Sequence, residues 1–127
     1  FCDPETIAYL KSDNPKDPDY ESLMNMEAQL QSFRTLDGKP YRLVPLPKPE
    51  QMFLDDYPLP ASYANFLIIN GAVLVPGSGS ELDEVARTRL QEVFPDREVI
   101  VIDCRPLLSG HGGLHCVTMP FPAGWLE

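Results

Sequence analysis

The chain has 127 residues, of which 43% are hydrophobic and 23% are charged, and its formal net charge is −9. This length is sufficient for one domain with a core of its own. The acidic balance argues against nucleic acid or an anionic membrane as a partner, because neither would gain from an acidic surface. No apolar run reaches the about 20 residues that a membrane span requires.

The first third of the chain predicts a strand followed by a helix. Residues 6–10 form a β-prone run, and a polar connection rich in Asp, Asn and Pro follows it. The helix is expected to have Asp17 as its N-cap and Pro18 at its first position. Its apolar positions recur at helical spacing and predict a buried stripe. They are Leu23, Met26, Leu30 and Phe33.

A second strand and a long irregular segment come next. Asp37-Gly38 ends the helix, and residues 41–46 are predicted to form a strand. Residues 45–60 are rich in proline and lack a clear periodicity. Such a segment is either a surface connection or a wall of an active site, and the sequence leaves both interpretations open.

Two apolar runs, residues 65–69 and 72–75, flank Asn70-Gly71, which is a strong hairpin signal. Their continuous apolar character predicts strands buried on both faces. A second helix is expected after them, with Ser80 as N-cap and Asp83 in a capping-box-like position. Pro95 ends this helix, whose buried face is predicted to consist of Leu82, Val85, Ala86, Leu90 and Val93.

Residues 98–103 predict a further buried strand, so that the order strand–helix–strand occurs twice, in residues 6–46 and 72–103. We interpret this as a weak internal repeat of an αβ unit. Three cysteines, Cys2, Cys104 and Cys116, form neither a disulfide framework nor a paired metal motif, which favours a reducing, cytoplasmic compartment. Because zinc spacing, a phosphate loop and a Ser-His-Asp arrangement are also missing from the pattern, we expect no metal and no cofactor.

The stretch from Gly110 to Thr118 carries the clearest chemical signal. Three glycines in four positions allow a tight loop, and Cys116 follows at the start of a run that is predicted to be a strand. A thiol beside exposed backbone N–H groups is placed where a nucleophile is useful. The alternative is that Cys116 is a small buried hydrophobic residue after a turn.

The run from Gly112 to Thr118 resembles the nucleophile loop of agmatine deiminases and bacterial-type peptidylarginine deiminases, which belong to the guanidine-modifying enzymes. The similarity continues upstream in residues 62–66, 70–71, 75–76 and 94–99, so it covers most of the chain. It implies an α/β fold of the pentein type, a propeller of five αβ units around an axis. This chain would supply roughly the last two units, as a single C-terminal portion of a catalytic domain.

The resemblance also implies a reaction. A cysteine attacks a guanidino group, ammonia leaves, and water converts the covalent thiouronium into a ureido product. Cys116 matches the nucleophile, and Gly112 and Gly113 would shape the loop around the substrate. The expected partner is a cationic guanidino compound, either agmatine or peptidyl-arginine, and the sequence does not choose between them.

The remaining candidates have weaker claims to the chemistry. His115 would lie on the opposite face of the predicted strand from Cys116, so we expect it to be structural, with its ring bonded to the backbone. His111 lies in the flexible loop, where it could reach the thiolate or simply be exposed. Cys104 is expected to be buried, and Cys2 is expected to be incidental. We expect Asp103 and Arg105 to pair with each other or with a neighbouring unit. Asn65 is expected either to form hydrogen bonds in the hairpin or to contact the substrate.

Neither histidine lies in the His-x-Asp motif of the family, and an opening of Phe1-Cys2 suggests a piece of a longer protein. We therefore expect little activity from the chain alone, and either self-association or pairing with an upstream half. Residues 126–127 are native or a remnant of cloning. Two alternatives remain open: a non-catalytic αβ module for assembly or ligand binding, and an amidinotransferase that passes the thiouronium to an amine.

Overall fold

The computed structural model describes residues 1–125, so residues 126–127 lie outside the described part. The described chain forms two βαβ units joined by a hairpin-containing segment. The elements are β1 (Thr6–Lys11), α1 (Tyr20–Ser32), β2 (Arg42–Pro47), β3 (Phe53–Leu54), β4 (Tyr57–Pro58), β5 (Leu67–Ile69), β6 (Ala72–Gly77), α2 (Leu82–Val93), β7 (Glu98–Asp103) and α3 (Arg105–Leu108), followed by a 3₁₀ helix (His115–Val117).

The predicted repeat is confirmed. In the first unit β1 pairs with β2 in parallel, and in the second unit β6 pairs with β7 in parallel, each pair being joined by its helix. β5 lies antiparallel to β6, and Asn70-Gly71 forms the two-residue connection between Ile69 and Ala72. Gly71 has a φ of +80°, a backbone conformation that favours glycine at this turn.

Helix α2 holds the two units together. It packs against β2 of the first unit and against β6 and β7 of its own unit. The Arg89 guanidinium donates a 2.6 Å hydrogen bond to the Pro45 carbonyl, which fixes the helix to β2. The main core lies around this helix and consists of Leu46, Tyr63, Phe66, Val73, Val75, Ala86, Leu90, Phe94 and Val99.

Both helices begin later than predicted. α1 starts at Tyr20 with Asp19 at the N-cap position, because the Asp17 carboxylate binds Lys48 and the Asp19 N–H instead of capping the helix. α2 has Glu81 at its N-cap position. Ser80 accepts a hydrogen bond from the Leu82 N–H, and the expected capping box is replaced by contacts of Asp83 with the preceding loop.

The apolar stripe predicted for α1 is not a core face. None of its residues is buried; Leu23, Met26 and Leu30 are half-buried, and Phe33, just beyond the helix, is 48% exposed. On the predicted face of α2 only Ala86 and Leu90 are buried, and Val85 is exposed. A helical stripe therefore marks the side that faces the protein, but it does not determine how deeply that side is buried.

Two further predictions about burial need correction. In β5 only Leu67 is buried, and in β7 only Val99 is buried. The exposed hydrophobic residues of β7 alternate with Val99 and Val101, so they lie together on one exposed face of this edge strand. Ile100 and Ile102 of β7 are each 37% exposed. Residues 45–60 are less irregular than predicted, since β2 extends to Pro47 and β3 and β4 form a small antiparallel hairpin.

Among the described residues, no helix has the length and apolar character needed to cross a membrane.

Candidate active site around Cys116

Cys116 lies on a short 3₁₀ helix, His115–Val117, and the strand predicted there is wrong. The run is too short for side-chain alternation to distinguish a strand from a helical turn. Its side chain is exposed and its thiol is free, so the alternative of a small buried residue is also excluded for this cysteine. Since adjacent residues are not on opposite faces of a strand here, the reason given for separating His115 from Cys116 no longer applies.

Asn65 is the side chain that organises the loop. Its Oδ1 accepts a 2.8 Å hydrogen bond from the His115 N–H, and its Nδ2 donates to the Cys116 Sγ over 3.5 Å. These contacts join positions about fifty residues apart along the chain. Asn65 belongs to the turn that precedes β5, and its side chain bonds to the cysteine loop, so the hydrogen-bonding role expected for it in the hairpin is wrong.

The glycines of the loop differ in their surroundings. Gly113 is buried, and a Cβ atom at this position would overlap the Asn65 side-chain amide. At Gly112 a Cβ would meet only the Cys116 Cβ, at an ordinary 3.6 Å. Glycine is therefore required at position 113 for the loop to approach Asn65, whereas position 112 has room for a methyl group.

The surroundings of Cys116 favour its thiolate. Hydrogen bonds from the Gly113 backbone and from the Asn65 side chain lower the pKa of the Cys116 thiol from its ordinary value. The other two cysteines shift in the opposite direction, because burial raises the pKa of Cys104 and of Cys2. Since the thiolate is the reactive form, Cys116 is the cysteine best suited to nucleophilic attack.

His115 contributes its backbone to this arrangement, but neither imidazole ring takes part in it. His111 is exposed and has a φ of +58°, and its N–H donates to the Leu108 carbonyl. The backbone of His115 is fixed by Asn65 and by Thr118, whose hydroxyl donates to the His115 carbonyl over 2.8 Å. Within residues 1–125 neither imidazole forms a hydrogen bond, so the ring-to-backbone contact expected of His115 is not present.

The predictions for Cys104 and for the Asp103–Arg105 pair are confirmed, whereas Cys2, expected to be incidental, packs against the core. Cys104 is fully buried, and Cys2 is half-buried against the core. The Arg105 guanidinium donates two hydrogen bonds, of 2.9 and 2.6 Å, to the Asp103 carboxylate, and this lowers the pKa of Asp103 to about 2. These two residues pair with each other at the surface, where such a pair adds little to stability.

Sequence reasoning did not find the cluster around Asp83. This carboxylate accepts hydrogen bonds from the Tyr63 hydroxyl (2.6 Å), the Ser78 N–H (2.8 Å) and the Gly79 N–H (2.9 Å). Burial alone would raise the pKa of Asp83, but these hydrogen bonds bring it below its ordinary value. The signal that could have revealed the cluster is a tyrosine in the run Ser62–Phe66 together with an aspartate early in the helix.

Comparison with known proteins identifies the family of this chain. The family model for Porphyromonas-type peptidyl-arginine deiminase matches residues 1–122. An agmatine deiminase from Stutzerimonas stutzeri is 30% identical over the whole chain, which covers 39% of that protein. An agmatine deiminase from Pseudomonas syringae pv. tomato is also 30% identical, over 97% of the chain and 38% of its own length.

Solved structures match the fold closely. A Porphyromonas gingivalis protein, provisionally named an arginine deiminase, superposes with a TM-score of 0.95 at 57% identity, over 98% of this chain and 37% of that one. The C. jejuni agmatine deiminase superposes with a TM-score of 0.83 at 34% identity, over 91% of this chain and 35% of that one. The chain thus spans less than two fifths of the length of these relatives, and it belongs to the Porphyromonas-type peptidyl-arginine deiminase family.

Proposed function

We propose that the chain is the C-terminal part of a cysteine-dependent deiminase that hydrolyses a guanidino group, with Cys116 as nucleophile. The observation that carries this proposal is an exposed thiol with a lowered pKa, bonded to Asn65 at the end of a glycine loop. A soft thiolate is suited to attack on the central carbon of a guanidinium, and a covalent intermediate divides a difficult hydrolysis into two easier steps.

The proposed reaction proceeds in two stages. The Cys116 sulfur forms a bond to the guanidinium carbon, and the C–N bond to one terminal amino group breaks as that group leaves with a proton as ammonia. The carbon is then held as a thiouronium on the sulfur. Water attacks that carbon, the C–S bond breaks, and the products are a ureido group and the regenerated thiol. A general acid and base must move the protons in both stages.

Names of relatives guide the choice of substrate. They include agmatine deiminases and a Porphyromonas-type peptidyl-arginine deiminase family, so the candidates are agmatine and peptidyl-arginine. Both contain the guanidinium that the proposed chemistry needs, and they differ in the tail attached to it. The acidic net charge of −9 is compatible with either cation.

We further propose that the two βαβ units are part of a five-unit αβ-propeller and that the rest of the site lies upstream. The relatives are more than twice as long as this chain, and neither imidazole of residues 1–125 bonds to the thiol. Ile100 and Ile102 on an edge strand are surface that an upstream half, or a second copy, would cover. Three free thiols suit the cytoplasm, where we place the protein.

The test is an assay for ureido product from agmatine, free arginine and an arginine-containing peptide. We expect little product from the 127-residue chain and turnover from a chain extended upstream. Cys116→Ala should abolish that turnover. Cys2→Ser, which removes a thiol distant from Cys116 in the sequence, should preserve it.

Each outcome has a distinct meaning. Turnover by the extended Cys116→Ala variant would contradict the assignment of the nucleophile. Turnover by the 127-residue chain that is lost in Cys116→Ala would contradict its incompleteness. An extended chain that is folded but silent on all three compounds would favour the non-catalytic module. A stable, monodisperse monomer of the 127-residue chain in light scattering would count against the uncovered interface.

A further inference from the structure

We propose that the partly buried contact between Tyr63 and Asp83 holds Asn65 in position and thereby sets the reactivity of the Cys116 thiol. The inference rests on the proposed function only in taking Cys116 as the reactive group. Tyr63 and Asp83 do not touch the thiol, so they act through Asn65 as positioning residues.

Several hydrogen bonds hold the anchor, which consists of Tyr63 and Asp83. Tyr63 is fully buried, and its hydroxyl donates to the Asp83 Oδ1 over 2.6 Å and lies 3.0 Å from the Ser78 Oγ. The Asp83 carboxylate is in turn held by the N–H groups of Ser78 and Gly79, in the loop between β6 and α2. The far end of the tyrosine ring is therefore fixed to the same core that holds α2.

The protonation states of Tyr63 and Asp83 strengthen the hydrogen bond between them. Burial, and then the hydrogen bond to Asp83, raise the pKa of Tyr63, so the phenol stays protonated and remains a donor. The lowered pKa of Asp83 keeps its carboxylate charged as the acceptor. A hydrogen bond to a charged acceptor is stronger than one between neutral groups.

A short turn connects the anchor to Asn65. The Asn65 N–H donates to the Ser62 carbonyl over 3.1 Å, and the Ala64 N–H donates to the Ser62 Oγ over 3.2 Å. Tyr63 lies inside this turn, two positions before Asn65. Because the turn is closed by its own hydrogen bonds, a displacement of the tyrosine ring is passed on to Asn65.

A displacement of Asn65 would change its contacts with the cysteine loop. The Asn65 side chain holds the His115 N–H at 2.8 Å, fits against Gly113 without space for a Cβ, and reaches the Cys116 Sγ at 3.5 Å. Sulfur contacts of this length weaken with small movements, so a shift of well under 1 Å would change the stabilisation of the thiolate. The position of Tyr63 is therefore linked to the chemistry of Cys116.

The structure offers a matched control on the other unit. Tyr9 is also buried, at 6% exposure, and its hydroxyl also donates to a carboxylate, the Glu27 Oε1, over 2.9 Å. Tyr9→Phe and Tyr63→Phe therefore remove the same group from the same kind of contact. Only the Tyr63 contact lies next to Asn65 along the chain. Comparing the two variants therefore separates a positioning role from a general loss of stability.

The experiment measures the rate at which iodoacetamide alkylates Cys116, as a function of pH, with peptide mass spectrometry to resolve the three thiols. In the folded chain, Tyr63→Phe should reduce the rate at neutral pH about three-fold or more by moving the thiol profile to higher pH. Tyr9→Phe should leave that profile unchanged at a comparable loss of thermal stability. If Tyr63→Phe does not fold, Asp83→Asn, which keeps the shape of the side chain, should move the profile in the same direction.

A double variant tests whether the effect of Tyr63 on Cys116 is transmitted through Asn65. Asn65→Ala should shift the thiol profile most, and adding Tyr63→Phe to it should cause no further shift. A Tyr63→Phe variant that loses stability while its Cys116 profile stays that of the parent would overturn the proposal. Additive shifts in the double variant would overturn the route through Asn65. Since alkylation needs no turnover, a folded but inactive upstream-extended chain would contradict the proposed function and leave this result intact.

Discussion

The two βαβ units have the same topology but attach their helices in different ways. In the second unit α2 buries Ala86 and Leu90 and packs against three strands. In the first unit α1 buries no side chain completely, and Glu27 holds it to β1 by accepting hydrogen bonds from Tyr9 and Lys11. One helix is fixed by apolar packing and the other by polar contacts.

This difference shows which part of the molecule supports the site. The helix with the apolar attachment also carries Asp83, which binds Tyr63 close to Asn65. In the first unit the segment before α1 is held to the end of β2 by Lys48, whose ammonium contacts the carboxylates of Asp17 and Asp19 at 2.5 and 2.8 Å. We infer that the second unit is the scaffold of the cysteine loop and that the first unit is more easily loosened.

The largest expected effect compares one residue type on the two helices. Leu90 on α2 is fully buried, whereas Leu30 on α1 is half-buried. Leu90→Ala should reduce the free energy of unfolding by about 2–5 kcal/mol, because it removes packed methyl groups and leaves a cavity. Leu30→Ala should cost about 1 kcal/mol. Equal losses in denaturant unfolding would contradict the difference between the units.

The next prediction concerns the cysteine loop that the second unit supports. Gly113→Ala should cost about 1–3 kcal/mol, because its methyl group would overlap the Asn65 amide and displace the loop. Gly112→Ala, with only an ordinary contact to Cys116, should change stability by less than about 0.5 kcal/mol. Thermal unfolding of both variants provides the measurement, and a ranking in the opposite order would show that the loop is not held by Asn65.

The polar attachment of α1 should give a smaller loss. Glu27→Gln keeps the shape of the side chain but weakens its contacts with Tyr9 and Lys11, so we expect a cost of about 1 kcal/mol in denaturant unfolding. Glu84→Gln, on the exposed face of α2, serves as the control. It weakens exposed contacts with Arg87 and Thr88, which add little to stability, so its unfolding midpoint should match that of the parent.

Acid should loosen α1 more than α2, because α2 keeps its apolar packing at Ala86 and Leu90 when its own low-pKa carboxylate, Asp83, is protonated. The hydrogen bond from Lys48 lowers the pKa of Asp17, and the hydrogen bond from Lys11 lowers that of Glu27. A carboxylate with a lowered folded-state pKa stabilises the fold above its ordinary value of about 4, and this stabilisation disappears as the pH falls through the folded-state value. Hydrogen exchange should show α1 amides losing protection relative to α2 over that range. A variant with Asp17→Asn and Glu27→Gln should lack this pH-dependent loss of α1 protection.

Local patterns predicted much of the fold. The two strand–helix–strand units, the turn at Asn70-Gly71 and the burial of Cys104 all depend on residues close in sequence, and each is confirmed. The depth of burial was less predictable. Ile100 has the apolar character of a core residue, but its exposure depends on what lies beside β7, which a local pattern does not contain.

The candidate site was predictable in its nucleophile loop and not in its supports. The resemblance identified Cys116, whose catalytic role stays a prediction. The glycine-rich loop before it could be recognised from the sequence. The 3₁₀ turn at residues 115–117 is too short to have a recognisable period. The contact between Asn65 and the loop joins segments distant in sequence, so only the folded chain brings them together.

That long-range contact has a consequence for the order of folding. The His115 N–H and the Asn65 side chain are separated by 50 positions, and all of β5, β6, α2 and β7 lies between them. Contacts of such separation form late, because the entropy of closing the intervening segment must first be offset by the elements within it. We therefore expect Cys116 to have an ordinary, weakly nucleophilic thiol in the unfolded chain and to become more reactive only after β5, β6, α2 and β7 have folded.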